Sequence, residues 1–427
     1  MNKIIILAFL VTGNLHARVN VSKFKLGQSL FFDKIISGNK NISCATCHHP
    51  LTGSTDWLSL GVGEGGRGLA ITRSLGKGKN KIHERVPRNA PHLFNLSDHY
   101  TTVLFHDGRV ERNDKYPSGV KSPAGMDLPE GLDSVLAAQA LFPPTSNTEM
   151  AGQGSENQIA INTTAGRIFG ENSVWSVITE RVANNKKYAE MFVKSFKDVR
   201  SASDIKEVHI ANALAHYESK AFFTMNSPFD KFSRGQKDAM SESAKKGYEL
   251  FKGKANCISC HSGQNFTDNK FYSIALPQIG QGKGHGKHGE EDFGREGVTG
   301  DRKDRYKFRV PGLRNIALTA PYGHNGAYSS LKDIVKHHLD PKGMMTSYSI
   351  SKSRMRKRSD LSAHDQRALT PEIKHEILAS KDIEQITLSR NEINQLLDFL
   401  NALTDEKFLD ASNLIPRKVF SGLPIYE

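Results

Sequence analysis

The chain has 427 residues, and 58 Lys and Arg against 45 Asp and Glu give it a formal charge of +13 at pH 7. This length suits two domains of ordinary size, each with its own core. A basic excess is compatible with nucleic acid, but an exported chain without a nucleic-acid-binding motif is not expected to have a nucleic-acid partner.

Residues 1–17 have the pattern of a secretory signal peptide. Met1-Asn2-Lys3 supplies a charged start, Ile4 to Thr12 form a short apolar run, and Leu15-His16-Ala17 is an acceptable cleavage site. The apolar run is too short to span a membrane, and no later segment is long enough. We therefore expect an exported, soluble, periplasmic protein without a membrane span.

All four cysteines lie in two C-x-x-C-H motifs, Cys44-Ala-Thr-Cys47-His48 and Cys257-Ile-Ser-Cys260-His261. In such a motif the two thiols can form thioethers to a haem, while the adjacent His lies beneath the iron as its proximal ligand. A four-Cys zinc site or a pair of disulfides is the alternative, but neither needs a His after the second Cys. The motifs predict two covalently bound haem c groups.

Helical periodicity surrounds both motifs, whereas strand signals are few. Lys25 to Asp33 predict a helix that leads into the first motif, and Ser241 to Phe251 predict one that leads into the second. Further helices are predicted over 132–141, 174–196, 205–223 and 388–403. The fold class is therefore mainly α, with two cytochrome c-like domains that carry one covalent haem each.

Breaks in the periodicity give the predicted domain limits. Asn226-Ser-Pro-Phe-Asp230 separates an N-terminal haem domain, residues 18–225, from a C-terminal haem domain, residues 226–427. The polar residues at about 342–390 predict an insertion or a mobile arm in the second domain.

Two stretches that follow the first motif return after the second, which indicates an internal repeat. The paired stretches are Arg88-Asn-Ala-Pro91-His-Leu93-Phe-Asn95 with Arg309-Val-Pro311-Gly-Leu313-Arg-Asn315, and Phe105-His106-Asp107-Gly108 with Gly323-His324-Asn325-Gly326. Equivalent positions of the two halves can therefore be compared.

The repeat predicts that the two irons differ in their second axial ligand. The eighth residue of Leu331–His338 is a histidine, whereas the eighth residue of Leu132–Gln139 is a glutamine. An imidazole binds haem iron well and an amide binds it poorly. We predict a six-coordinate haem held by His261 and His338, and a haem with His48 below and an open face near Gln139.

Two alternatives remain for the second ligand: His338 could be a surface helix histidine, and His337 beside it could be the ligand instead. At the open iron, Glu149 follows Gln139 and Pro143 closely in sequence. A carboxylate in a partly dry pocket can take a proton from the near oxygen of a peroxide and return it to the leaving oxygen. A solvated loop glutamate is the competing interpretation.

These residues together resemble the bacterial di-haem cytochrome c peroxidase and MauG superfamily, from Leu26 to about Thr404. The most specific pieces are Leu30-Phe-Phe-Asp33, Cys44 to Pro50, Phe266-Thr-Asp268, Asp292-Phe-Gly-Arg295 and Arg309 to Gly326. The resemblance implies that the N-terminal haem is the peroxide site and that the C-terminal haem transfers electrons.

The resemblance also implies roles for further residues. The spacing Gln139-x3-Pro143-x5-Glu149 is similar to the distal pocket of the MauG branch. Family members hold a calcium ion between the haems, and the matching positions here are Asn95, Thr319 and Pro321.

The sequence departs from the family pattern at two positions. His338 replaces a Met or Tyr ligand, as in the MauG-like (MbnH-like) enzymes of methanobactin gene clusters, and loss of a thioether ligand should lower the potential of that haem. His106 replaces the inter-haem Trp of the family, and neither Trp57 nor Trp175 can simply be assumed to take over its role.

The leading hypothesis is an exported di-haem oxidoreductase that uses hydrogen peroxide at the His48 haem, while the second haem stores or relays electrons. One version oxidises a residue such as Trp on a partner protein, in the manner of the MauG branch. Another version is a cytochrome c peroxidase that takes electrons from a small cytochrome or cupredoxin. A different class is a non-catalytic di-haem electron carrier.

Overall fold

The computed structural model describes residues 20–96 and 101–426. The predicted signal peptide lies outside these residues. None of the helices in the described ranges is both long and apolar enough to cross a bilayer.

Helices dominate the described structure, which confirms the predicted mainly α class. They are α1 (Val21–Phe32), α2 (Cys44–Cys47), α3 (Val135–Ala140), α4 (Gln158–Thr164), α5 (Val174–Ala183), α6 (Lys186–Ser195), α7 (Glu207–Ala221), α8 (Pro228–Ser233), α9 (Glu242–Lys252), α10 (Glu296–Thr299), α11 (Leu331–Leu339), α12 (Pro341–Thr346), α13 (Ser359–Ser362), α14 (Pro371–Ala379) and α15 (Arg390–Asn401).

Short strands form two small antiparallel sheets. The first has the order β1 (Val103–Leu104), β2 (Val110–Arg112), β3 (Val120–Lys121), and the second pairs β4 (Phe271–Tyr272) with β5 (Phe308–Arg309). In the second sheet Phe271 lies opposite Arg309.

Polar caps explain where the helices differ from the sequence prediction. The helix expected over 132–141 begins only at Val135, because the Ser134 side chain caps it by accepting from the Ala137 N–H. The helix expected over 174–196 is two helices, α5 and α6, because Asn185 caps the second one. Periodicity alone does not show such a break when apolar residues continue on both sides of it.

Buried apolar residues form two large clusters. The first includes residues of α1, α3, α5, α6 and α7, and the second includes residues of α9, α11 and α15. Each cluster also takes residues from the other end of the chain, since Leu60 belongs to the second, and Phe408 and Val419 belong to the first. The predicted boundary at residues 225 and 226 stays a prediction.

Each haem motif is preceded by a helix that approaches another helix at a glycine. A Cβ on Gly27 of α1 would lie 1.9 Å from the Ala213 carbonyl oxygen of α7, and one on Gly247 of α9 would lie 1.9 Å from the Gln395 carbonyl oxygen of α15. Only glycine permits so close an approach. The same contact in both halves agrees with the internal repeat.

The polar residues at 342–390 do not form a free arm. They contain α12, α13 and α14, and Met345, Leu361 and Ile377 are buried. Further apolar side chains of this stretch, such as Leu369, are half-buried against the second large cluster. The low overall hydrophobicity of residues 342–390 predicted an insertion or a mobile arm, but the segment packs against the rest of the protein.

Candidate active site

The first motif forms α2 and presents His48 as a candidate metal ligand. The Nδ1 of His48 lies 3.0 Å from the Ser54 carbonyl oxygen, to which its N–H donates. This bond leaves Nε2 available, and a ligating histidine commonly donates its other ring N–H to a carbonyl in this way. Burial lowers the pKa of His48, which keeps the imidazole neutral as ligation requires.

His261 of the second motif faces His338, which lies in α11. Nδ1 of His261 lies 3.0 Å from the Phe266 carbonyl oxygen, and Nδ1 of His338 lies 2.8 Å from the Ile334 carbonyl oxygen. Both Nε2 atoms are therefore available, and the ring centroids are 6.4 Å apart. Two metal–nitrogen bonds of about 2 Å fit between rings at that separation.

The neighbouring His337 has no ring nitrogen to offer. Its Nδ1 bonds the Tyr328 hydroxyl at 3.0 Å and its Nε2 bonds the Ile274 carbonyl at 2.8 Å. Its side chain is buried in the core, with 0% of its surface exposed. The geometry therefore favours His338 over His337 as the axial ligand.

The donor sets fit haem better than the alternatives do. All four cysteines are free thiols, so the disulfides considered above are not formed. Within residues 20–96 and 101–426, no cluster of three or more His, Cys, Asp or Glu could hold a metal ion, which removes the zinc alternative there. Each motif instead offers two thiols and one imidazole, the set that covalent haem requires.

Gln139 lies in the last turn of α3, and Pro143 and Glu149 follow on consecutive turns. The Phe142 N–H donates to the Gln139 carbonyl, and the Ser146 N–H donates to the Pro143 carbonyl. Glu149 then lies in a single π-helical turn, Asn147–Ala151. Such turns are rare and often occur at functional sites.

The surroundings of Glu149 suit a group that exchanges protons. Burial raises its pKa, and the positive charges of Arg109 and Lys283 oppose this rise. In the part of the chain that the structure describes, its carboxylate has no hydrogen-bond partner. A carboxyl of raised pKa with free oxygens can accept a proton and release it again.

The backbone around Glu149 is held from both sides. The Gly38 N–H donates to the Met150 carbonyl at 2.8 Å, and the Glu64 N–H donates to the Thr148 carbonyl at 3.2 Å. These bonds fix the π-helical turn, which no periodicity in the sequence predicts.

A buried ion cluster joins the two halves of the chain next to this site. Arg88 binds Asp292 through Nε at 2.7 Å and Asp107 through Nη1 at 2.5 Å. Burial alone would raise the pKa of Asp292, but Arg88 outweighs it and holds the pKa below its usual range. The repeat contains Arg88 and Asp107, whereas Asp292, which pairs with the same guanidinium, lies outside the repeated stretches.

His106 and His324, which are equivalent in the repeat, meet at this junction. Nε2 of His106 lies 3.0 Å from the Asn89 carbonyl, and the Asn89 N–H donates to the His324 carbonyl at 2.9 Å. The His324 ring stacks on Phe308 with 3.6 Å between ring centroids. Burial lowers the pKa of His106 to about 4 and that of His324 to about 3, so both are neutral.

The two tryptophans bond elsewhere. Trp57 Nε1 donates to the Leu318 carbonyl at 3.3 Å, and Trp175 Nε1 donates to the Leu141 carbonyl at 2.8 Å. Leu141 follows Gln139 closely, so Trp175 supports the end of α3.

The predicted calcium ligands are not drawn together by hydrogen bonds. The Asn95 side-chain oxygen accepts from the Thr224 N–H at 2.8 Å, and its amide nitrogen donates to the Thr224 carbonyl at 2.8 Å. No hydrogen bond between described residues joins Asn95 to Thr319 or Pro321. The Asn95 oxygen retains a second lone pair, and the calcium set stays a prediction.

Comparison with known proteins gives consistent matches. The sequence profile of the di-haem cytochrome c peroxidase family matches residues 21–238. The methylamine utilization protein MauG of Methylorubrum extorquens is 30% identical over 317 residues, which are 74% of this chain and 68% of MauG. The cytochrome c peroxidase Ccp of Escherichia coli is 29% identical over 317 residues, 74% of this chain and 53% of Ccp.

Solved structures show the same fold. A MauG-like protein associated with microbial copper homeostasis superposes with a TM-score of 0.61 at 24% identity, covering 95% of both chains. The diheme peroxidase BthA from Burkholderia thailandensis has a TM-score of 0.59 at 17% identity and covers 94% of this chain and 89% of its own.

Proposed function

The chain belongs to the di-haem cytochrome c peroxidase family and is an oxidoreductase of that family, and from this premise we propose that it is a periplasmic enzyme that consumes hydrogen peroxide. Each C-x-x-C-H motif attaches one haem c covalently, within one of two domains that meet near residue 226. The haem on the first motif, when bound, supplies an iron that accepts a small oxidant.

The asymmetry between His338 and Gln139 carries this proposal. His338 faces His261 with a free Nε2, whereas no aromatic or imidazole ring of the described residues pairs with His48. The repeat places the amide of Gln139 at the corresponding position. One face of the His48 site is thereby left to the substrate, and the His261 site is closed to it.

Glu149 is the proton-transfer group in this account. Its carboxylate would take the proton from the near oxygen of the peroxide and deliver it to the far oxygen, so that the O–O bond breaks and the far oxygen leaves as water. The haem, when bound, would supply the two electrons that this cleavage requires. Pro143 and Gln139 shape the pocket through the turns that end at Glu149. The charges of Arg109 and Lys283 favour the anion and oppose the rise in the pKa of Glu149 that burial causes.

Replacement of Glu149 tests this role. Glu149→Gln should slow the reaction with peroxide by about 10²- to 10⁴-fold, because the amide cannot carry the proton. The measurement is stopped-flow absorbance of the ferric holo-protein mixed with peroxide. The exposed Glu130→Gln is the matched control, and an unchanged rate in Glu149→Gln would refute the assigned role.

The pH dependence of the same reaction gives a second test of this role. The peroxide proton must pass to the ionised carboxylate, and burial raises the pKa of that group above its ordinary value. The rate should therefore increase as pH rises through this raised pKa, and Glu149→Gln should lose that increase.

Within this function, we favour oxidation of a residue such as Trp on a partner protein. Histidine in place of a thioether ligand lowers the potential of the second haem, which makes it a poorer acceptor from an ordinary cytochrome. The alternative is a peroxidase supplied with electrons by a small cytochrome or cupredoxin. A non-catalytic carrier is the third candidate, and it predicts no binding of small ligands to the ferric protein.

One titration separates the first two candidates. One equivalent of peroxide is added to the fully ferric protein without reductant, and both haems are followed by EPR and absorbance. Rapid loss of both ferric signals with slow return supports the protein-oxidising enzyme. Absence of reaction until one haem is reduced supports the donor-driven peroxidase.

A further inference from the structure

A stretch of the C-terminal half, residues 354–365, lies across a loop of the N-terminal half, residues 58–86. We call the first the strap and the second the covered loop. The Ser59 N–H donates to the Arg354 carbonyl at 2.9 Å, and the Arg354 N–H donates to the Ser59 hydroxyl at 2.7 Å. This pair of bonds joins the two stretches where each begins.

The strap continues along the loop with polar and apolar contacts. The Arg358 guanidinium donates to the Leu75 carbonyl at 3.0 Å and to the Ile82 carbonyl at 2.5 Å. Leu361 is buried in a small cluster of its own with four side chains of the covered loop, Leu58, Val62, Leu75 and Ile82. Leu60 of the same loop packs in the second large cluster, so the strap completes only this smaller one, through Leu361.

A buried ion pair fixes the end of the strap. Arg85 Nε lies 2.9 Å from Asp365 Oδ1, and Arg85 Nη2 lies 3.1 Å from Asp365 Oδ2. The Arg85 and Asp365 side chains are only 1% and 8% exposed. Removal of one partner would leave a buried charge without compensation, which makes the pair costly to break.

The covered loop connects the Arg85–Asp365 ion pair to a segment near Glu149. Val86, next to Arg85, donates its N–H to the Gly61 carbonyl at 2.9 Å. Two residues further on, the Gly63 carbonyl accepts from Arg73 Nη2 at 2.8 Å. The segment 61–64 is therefore held at both ends by groups of the covered loop.

Segment 61–64 lies directly against the turn that carries Glu149. A Cβ on Gly63 would lie 2.0 Å from the Thr148 carbonyl oxygen and 2.9 Å from the Glu149 carbonyl oxygen. The neighbouring Glu64 N–H donates to the same Thr148 carbonyl. A shift of this segment must move the Glu149 backbone, because no free space separates them.

We propose that Asp365 is a positioning residue for Glu149, through Arg85 and the covered loop. The C-terminal half thereby sets the geometry of the peroxide site in the N-terminal half. The inference rests on the proposed function in one respect, since it takes Glu149 to be the proton-transfer group.

The test compares Asp365→Asn with Asp360→Asn in the holo-protein. Asp360 is in the same strap and pairs with both Lys81 and Arg358, but the Asp360 and Lys81 side chains are 46% and 49% exposed, so solvent screens the charge that is lost. Asp365→Asn should increase hydrogen–deuterium exchange at residues 61–64 and 147–151, whereas Asp360→Asn should not. Asp365→Asn should also slow the peroxide reaction by about 10- to 100-fold, because small displacements of a catalytic group have effects of this size.

Combination with Glu149→Gln shows whether Asp365 acts through Glu149. In that background Asp365→Asn should cause no further loss of rate, since residues that act as a unit are not additive. A full additional loss would overturn the inference, as would unchanged exchange or an unchanged rate in the single variant. Failure of Glu149→Gln itself to slow the reaction refutes the proposed function, while the exchange data still test the mechanical coupling.

A second variant covers the case in which Asp365→Asn does not retain both haems. Leu361→Ala weakens the same strap without leaving a buried charge. It should produce the same pattern of exchange with a smaller loss of rate. Normal exchange at residues 147–151 in Leu361→Ala, with exchange raised at 61–64, would contradict the coupling.

Discussion

The two C-x-x-C-H motifs have the same chemistry but different surroundings. Ala45 and Thr46 of the first motif are 4% and 5% exposed, whereas Ile258 of the second is 37% exposed and Ser259 is also exposed. The first motif lies inside the N-terminal core, and the second lies at the surface. An internal repeat has therefore been adapted to two different environments.

The two sites also differ in whether a second histidine faces the histidine of the motif. The surface motif has the closed site, in which His338 faces His261, and the buried motif has the site with a glutamine at the equivalent position. Peroxide is small enough to reach a buried site, whereas electron exchange with a protein requires a haem near the surface. Under the proposed function, burial and ligation would together separate the peroxide reaction from electron exchange.

The largest predicted effect is on the peroxide reaction, when a new histidine closes the first haem site. Gln139→His would place an imidazole where the second half has His338, and a tethered imidazole competes at a high effective concentration. The peroxide reaction should fall on the order of a thousandfold. EPR should show a change at the first haem only.

The exposed Gln158→His is the control, since it adds a histidine to the solvent-exposed side of α4 in the same half. An undiminished peroxide rate in Gln139→His would mean that Gln139 does not face the first iron. The comparison of the two halves would then have paired the wrong residues.

Opening the second site is the converse change. His338→Gln should let the second haem bind cyanide, which the unaltered protein should not do at that haem. His337→Gln should leave the haem spectrum unchanged but lower the free energy of unfolding by roughly 1–3 kcal/mol, because it disturbs two buried hydrogen bonds. A changed spectrum in His337→Gln alone would reverse the assignment.

The last predicted effect is on stability and concerns a buried acid beneath the first motif, Glu218, whose charge acts on Cys44. Burial raises the pKa of Glu218 to about 8, from an ordinary value of 4.5. Between these values the folded protein holds a proton that the unfolded chain releases. The Glu218 contribution to stability therefore falls as pH rises, by about 1.4 kcal/mol per pH unit.

Glu218→Gln removes this dependence. Denaturant unfolding at pH 5, 6, 7 and 8 should show the variant gaining stability relative to the unaltered protein as pH increases. A difference that stays constant across this range would show that Glu218 does not titrate there.

The sequence predicted what the repeat and the motifs encode directly. The mainly α class, helices before both motifs and the helix that ends after His338 all follow from periodicity and spacing. The π-helical turn at Glu149 did not, because it depends on hydrogen bonds from Gly38 and Glu64, which are remote in sequence.

The packing of residues 342–390 could not be predicted from the sequence either. A run of Arg and Lys looks like a solvated segment, yet the Arg358 guanidinium donates to loop carbonyls and the Arg356 backbone carbonyl accepts from the buried Arg85 guanidinium. Charged side chains that bond backbone carbonyls of another segment carry no periodic signal. The pairing of Arg88 with Asp292 was not predicted either, because the two side chains are far apart in sequence.

EPR of the fully ferric holo-protein, before and after saturation with cyanide, tests the central claim most directly. The account predicts two distinct ferric signals, of which one changes with cyanide and the other, from the haem between His261 and His338, does not. A change in both signals, or in neither, would contradict the division into one open and one closed site.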